Sequence, residues 1–155
     1  YYNHSAKKDQ ITVLEFQLEL AKKHHLPLIF HVREAFEDFW PVFDRFQGVR
    51  GVVHSFSATP RELEQILARG LYVGLNGIMT FTKDERQLAA AKIIPTDRLL
   101  LETDAPFLTP APNRGTICTP KHVVQTAEFL AGLRDESVAE IATMTTQNAC
   151  DLFSI

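Results

Sequence analysis

Three residues of the types that bind metal ions each stand at the end of a short apolar run. His31 ends Leu-Ile-Phe-His, His54 ends Val-Val-His, and Asp104 ends Leu-Leu-Leu-Glu-Thr-Asp. Imidazole nitrogens and carboxylate oxygens together suit Zn²⁺, Mn²⁺ or Mg²⁺. Burying a carboxylate after three leucines is costly unless it is paired or bound to a metal. A lone histidine at a strand end is more often a hydrogen-bonded structural residue, so the pattern alone leaves both a metal site and a structural polar layer open.

Four apolar runs predict the strands that must position these residues. Such runs are typical of parallel strands covered on both faces, and they occupy residues 28–31, 52–56, 72–75 and 99–101. Stretches with helical spacing separate them, which predicts an α/β fold of βα units. Carboxyl ends of parallel strands share one face, so the three candidate ligands should converge there. Because side chains two apart on a strand share a face, Glu102 should point the same way as Asp104.

Two segments outside the strands also carry predictions. The pattern over residues 9–24 indicates an amphipathic helix, whose stripe of Val13, Phe16 and Leu20 should pack on another element. Residues 104–119 contain three prolines and one glycine, which predicts a long irregular loop. Long loops in compact domains are usually functional.

Length and composition restrict the class of protein. The chain has 155 residues, 45% hydrophobic and 23% charged, which suits one folded domain over residues 1–155 and excludes disorder. Its apolar runs are too short to span a membrane. The net charge of −3 argues against a bulk electrostatic hold on nucleic acid. Cys118 and Cys150 do not form a CxxC motif, so a disulfide framework is excluded and a cytoplasmic location is expected.

Five motifs follow one another along the chain: His31-Val32-Arg33, His54-Ser55-Phe56-Ser57, Asn76-Gly77, Glu102-Thr103-Asp104-Ala105-Pro106, and Thr145-Thr146-Gln147-Asn148-Ala149 followed by Leu152-Phe153. In this order the sequence resembles the TatD family of metal-dependent deoxyribonucleases, a branch of the amidohydrolase superfamily. The resemblance runs from end to end. Each motif alone is weak, whereas their combination is specific.

The resemblance implies a TIM (β/α)8 barrel of which this chain supplies about the C-terminal half, strands five to eight with flanking helices. The family's first-strand His-x-His pair and its fourth-strand motif Gly-Glu-x-Gly-Leu-Asp have no counterpart. Tyr1-Tyr2 matches what directly follows that motif, so we expect the chain to start after the fourth strand and the N-terminal half of the barrel to be missing. Open edges near Leu28 and Leu99 would then favour pairing with another chain, including a homo-oligomer.

The resemblance also assigns roles to the residues at the strand ends. His31, His54 and Asp104 correspond to metal ligands in the family. The expected cofactor is a pair of divalent ions, which could be Mg²⁺, Mn²⁺ or Zn²⁺. Asp104 would also act as the general base for the attacking water. From its position alone, Glu102 is expected either to orient a ligand or to cap the buried polar layer of the barrel, rather than to act in the chemistry.

Two arginines are candidates for binding substrate phosphates. Arg33 lies two residues after His31 on the same face and could clamp a phosphate through two hydrogen bonds. A salt bridge with Glu34 or Glu102 is the alternative for Arg33. Arg114 in the late loop could meet backbone phosphates, or it could be a solvated surface charge.

The expected function is a metal-dependent hydrolase, a deoxyribonuclease that cleaves DNA with a metal-activated water. One alternative is a hydrolase of small substrates, such as a lactonase, deacylase or amidase, because fold does not fix function. The observation behind this alternative is the late loop, where Cys118 and Thr119 replace the Asn and Glu of the family's Arg-Gly-x-x-Asn-Glu-Pro. Another alternative is an inactive half-barrel that serves in binding or assembly.

Overall fold

In the computed structural model, which describes residues 4–155, helices alternate with parallel strands as far as Leu101, and two successive α-helices follow. Tyr1 and Tyr2, on which the expected starting point rests, lie outside the described residues. The strands are β1 (Leu28–His31), β2 (Gly51–His54), β3 (Tyr72–Leu75) and β4 (Leu99–Leu101). The α-helices are α1 (Lys7–His24), α2 (Phe36–Phe43), α3 (Pro60–Leu67), α4 (Glu85–Ile93), α5 (Val123–Arg134) and α6 (Val138–Phe153). Short 3-10 helices cover Gly77–Thr80, Thr96–Arg98 and Pro120–His122.

The four strands form one parallel sheet in the order β1-β2-β3-β4. This confirms the predicted α/β architecture and the existence of all four strands. The second strand ends at His54, two residues earlier than predicted, because Ser55 has a φ of 53° and cannot continue an extended strand. The next residue returns to the sheet, since the Phe56 N–H donates to Gly74 O over 3.0 Å.

Both faces of the sheet are covered, as continuous apolar runs predict. Phe30, Val53, Val73 and Leu99 belong to the main core, which the helices complete. On the opposite face, Val52 and Leu100 pack with Leu152 near the end of α6. The carbonyl oxygen of Leu152 accepts a 2.7 Å hydrogen bond from the Arg50 guanidinium, just before β2. Helix α6 is thereby tied to the amino-terminal end of the sheet, away from the candidate ligands.

The apolar stripe of helix α1 is not packed in the described structure. Val13, Phe16 and Leu20 are 55%, 63% and 43% exposed. The helix buries Leu18 and Ala21 instead. The predicted packing of the stripe is therefore wrong for residues 4–155. The physical reason is that α1 flanks edge strand β1, so only the helix face turned toward the core finds a covering element.

The long loop is confirmed and rests on the first 3-10 helix. No helix or strand lies between Leu101 and Pro120. The Ala111 N–H donates to Thr80 Oγ1 over 2.8 Å. A Cβ on Gly77 would lie 2.4 Å from the carbonyl oxygen of Leu108, so only glycine permits this close approach.

Within residues 4–155, no helix is long and apolar enough to cross a membrane. Both cysteines are free, Cys118 buried and Cys150 partly buried. The cytoplasmic location inferred from the cysteines stays a prediction.

Candidate metal centre

Three titratable side chains meet at the carboxyl ends of β2 and β4. His54 ends β2, while Glu102 and Asp104 follow β4. One ligand atom from each of the three lies within 4.8 Å of the others, an arrangement found only here among residues 4–155. All three side chains keep about a fifth of their surface exposed, so they are accessible from solvent. The predicted convergence of His54 and Asp104 is therefore present, and Glu102 joins them.

Glu102 fixes the orientation of the His54 ring. Its Oε1 lies 2.9 Å from His54 Nδ1 and also accepts a 2.5 Å hydrogen bond from the Ser55 N–H. The hydrogen bond that His54 donates to Glu102 raises the pKa of His54; burial opposes this shift, and the charges of Glu102 and Asp104 reinforce it. With its Nδ1 proton directed at Glu102, a neutral His54 presents Nε2 as the lone-pair atom. That nitrogen lies 3.7 Å from Asp104 Oδ1.

Gly74 makes room for the Glu102 carboxylate. This residue of β3 stands between the two strands that carry the cluster. A Cβ on Gly74 would lie 2.6 Å from Oε2 of Glu102 and 2.8 Å from its Cδ. The missing side chain therefore lets a carboxylate from β4 reach across β3 to a histidine on β2.

Asn76 and Ser55 are site residues to which the sequence pattern assigned no role. Asn76 directly follows β3 and is only 2% exposed. Its Nδ2 donates to Asp104 Oδ1 over 2.7 Å and to Ser55 Oγ over 2.8 Å. Its position could have drawn notice, because it is a polar residue directly after a strand, on the edge where His54 and Asp104 lie.

His31 lies beside the cluster, on edge strand β1. It pairs with His54 in the sheet register, and the two ring centroids are 5.7 Å apart. His31 is exposed and is not a member of the three-residue group. The structure thus brings one of the two predicted histidine ligands into contact with the carboxylates and leaves the other as its neighbour.

The two candidate arginines lie in loops around this edge of the sheet. Arg33 is exposed and lines a groove of about 570 Å³ together with Thr59 and Arg86. The guanidinium carbon of Arg114 lies 3.8 Å from the centroid of the Phe81 ring, and its Nη1 donates to Thr109 O over 2.8 Å. Arg114 is exposed, and these two contacts hold its guanidinium in place.

The donor set of the cluster fits a divalent cation. Two carboxylates held close together repel each other unless a positive charge lies near them. Nε2 of His54 and the carboxylate of Asp104 offer nitrogen and oxygen donors, a combination that suits Zn²⁺, Mn²⁺ or Mg²⁺. The hydrogen bonds to Glu102 Oε1 support its predicted role as the group that orients His54.

Comparisons with known proteins place this geometry in a family. A family model described as "TatD related DNase" matches residues 1–154. The uncharacterized metal-dependent hydrolase YabD of Bacillus subtilis strain 168 is 37% identical over 100% of this chain and 62% of its own length. A Pantoea vagans protein named 3'-5' ssDNA/RNA exonuclease TatD is 37% identical over 99% of this chain and 62% of its own length.

Solved structures agree in fold. The TatD homologue YJJV of Escherichia coli K12 superposes with a TM-score of 0.91 at 28% identity, covering 100% of this chain and 60% of that protein. The chain thus spans about three fifths of the length of the relatives that it matches. The match of the family model over nearly the whole chain confirms the resemblance carried by the five motifs. The chain therefore belongs to the TatD related DNase family, a family of metal-dependent hydrolases.

Proposed function

We propose that the protein is a metal-dependent deoxyribonuclease that hydrolyses phosphodiester bonds of DNA. The observation that carries the proposal is the cluster of His54, Glu102 and Asp104 at one edge of the parallel sheet, in a chain of this family. The Pantoea vagans relative, whose name includes ssDNA and RNA, supports a nucleic acid as the substrate.

In this proposal His31, His54 and Asp104 hold the divalent metal, one ion or a pair. When bound, the metal supplies positive charge for the phosphate and makes water a stronger acid. Asp104 accepts the proton of the attacking water as general base. Glu102 keeps the Nδ1 proton of His54 in place, so that Nε2 remains the ligand atom.

Arg33 and Arg114 are the proposed phosphate-binding residues. The exposed side chain of Arg33 lies two residues beyond His31, where β1 ends, which supports contact with a substrate at that edge. Stacking on Phe81 supports a fixed position for the Arg114 guanidinium. A guanidinium held in this way needs little further ordering to bind a phosphate oxygen.

The function is tested with the full-length protein and a 5'-labelled single-stranded DNA oligonucleotide. We expect shortened products with Mg²⁺ or Mn²⁺ and intact oligonucleotide with EDTA, because the proposed chemistry depends on the metal. An RNA oligonucleotide and one with a blocked 3' end, run in parallel, identify the preferred polymer and the direction of digestion. Hydrolysis of lactones or acyl amides with no cleavage of either polymer would contradict the proposal and favour the small-substrate alternative.

We further propose that the four strands are strands five to eight of a closed TIM barrel. Ile29 on edge strand β1 is 63% exposed, and the apolar stripe of α1 is exposed as well. An open parallel edge with apolar neighbours favours pairing with further strands. The greater length of the matched relatives agrees with this arrangement.

This proposal predicts how a polypeptide of residues 1–155 behaves alone. We expect it to self-associate through the β1 edge, because pairing there would cover the exposed side chain of Ile29. Light scattering at increasing concentration measures the mass of the particles. A monodisperse monomer across that range would contradict the prediction.

A further inference from the structure

We propose that Asn76 is a positioning residue that sets the orientation of the Asp104 carboxylate for metal binding. The inference rests on the proposed function, in which Asp104 is a ligand. It concerns a residue whose side chain is amide rather than acid or imidazole, and which therefore need not bind the metal itself.

The hydrogen bonds around Asn76 determine which way its amide faces. Its Oδ1 accepts a 3.0 Å hydrogen bond from the Ile78 N–H, at the start of the first 3-10 helix. Because a backbone N–H only donates, this contact requires the oxygen at that end of the amide. The NH₂ group must then face Asp104 and Ser55, the two acceptors that it meets at 2.7 and 2.8 Å. A flipped amide would place its oxygen against the carboxylate.

The same side chain joins the ends of three neighbouring strands. Asn76 follows β3, Ser55 follows β2, and Asp104 lies just beyond β4. The backbone N–H of Ser55 donates to Glu102 Oε1. Asn76 therefore supports one carboxylate of the cluster directly and the other through Ser55.

Burial makes this arrangement stable. An Asn side chain that is 2% exposed must satisfy its polar groups inside the protein. The hydrogen bonds of Asn76 with Ile78, Asp104 and Ser55 satisfy both ends of its amide. A carboxylate otherwise rotates readily about its last torsion. The hydrogen bond from Asn76 removes that freedom by fixing Oδ1 of Asp104, before any metal binds.

The chain offers a matched control in Asn148. This asparagine is also buried, 4% exposed, and its Nδ2 also donates to two acceptors, Thr96 O at 2.7 Å and Leu99 O at 2.8 Å. Those acceptors lie at the amino-terminal end of β4, the end opposite to the metal cluster. Asn76→Ala and Asn148→Ala thus remove similar hydrogen bonds from the two ends of the same sheet.

The test is titration of Mn²⁺ into the metal-free full-length protein by calorimetry, with thermal unfolding measured for each variant. We expect Asn76→Ala to raise the Kd for Mn²⁺ by about 10- to 100-fold, the usual effect of losing a group that orients a ligand. Asn148→Ala should lower the melting temperature about as much as Asn76→Ala does, yet leave the Kd for Mn²⁺ within about twofold of that of the unaltered protein.

A Kd unchanged within about twofold in Asn76→Ala would overturn the role of Asn76. Should that variant not fold, Asn76→Asp keeps the shape of the side chain and replaces the donor by an acceptor. We then expect kcat for DNA cleavage to fall about tenfold or more with KM little changed, and an unchanged kcat would overturn the role. Absence of Mn²⁺ binding by the unaltered protein would instead contradict the proposed function, so the two failures are distinguishable.

Discussion

Replacing Asp104 by asparagine is expected to lower kcat for DNA cleavage by at least about 10³-fold. The amide can neither accept the proton of the attacking water nor supply a negative charge to the metal. The amide retains an oxygen that can accept the hydrogen bond from Asn76, which is 2.7 Å long in the unaltered protein, so the local packing should survive. The loss should therefore appear in the chemistry and in metal affinity rather than in the fold.

The measurement is steady-state cleavage of labelled single-stranded DNA by the full-length protein, with melting temperature as the check on folding. Asp97→Asn is the control, because Asp97 is 65% exposed on the 3-10 helix before β4, at the opposite end of the sheet. That control should retain kcat within about twofold. A loss of less than about tenfold in Asp104→Asn would refute the general-base assignment.

Removing the imidazole of His54 should raise the Kd for Mn²⁺ by about 100-fold or more. This exceeds the effect of losing a group that orients a ligand, about 10- to 100-fold, because the variant His54→Ala deletes a proposed ligand itself. The variant also removes the partner of Glu102, the His54 ring whose Nδ1 lies 2.9 Å from the carboxylate. The carboxylate keeps its hydrogen bond from the Ser55 N–H and remains partly solvated, so we expect the chain to fold.

Calorimetric titration of Mn²⁺ into the metal-free full-length protein measures this effect. His24→Ala is the control, since His24 is exposed at the last turn of α1, and it should leave the Kd within about twofold. If His54→Ala binds Mn²⁺ nearly as well as the unaltered protein, His54 is not a ligand. Its contact with Glu102 would then be a structural hydrogen bond, the alternative that the sequence pattern left open.

The strands were predictable because their signal is local. Three of them, β1, β3 and β4, have the bounds that the apolar runs indicate. A strand covered on both faces needs apolar side chains at successive positions, and that pattern can be read without knowing its neighbours. The end of β2 was less predictable, since the positive φ of Ser55 follows from its contacts at the site.

The packing of helix α1 could not be predicted in the same way. The spacing of Val13, Phe16 and Leu20 correctly indicates a helix, but it does not identify the face that meets the core. Beside an edge strand, the number of covering elements determines which stripe is buried. In the described residues the core receives Leu18 and Ala21.

The sequence by itself determined the family, through its five motifs, and the residue types at the strand ends. It also indicated that these residues lie near one another, because parallel strands bring their carboxyl ends to one edge. Only the tertiary structure decided which of them touch. Glu102 reaches His54 across β3 because Gly74 has no side chain, and Asn76 orients Asp104 from the end of that same strand. Hydrogen bonds depend on distances within a few tenths of an ångström, and those distances are set by the register and packing of strands far apart in sequence.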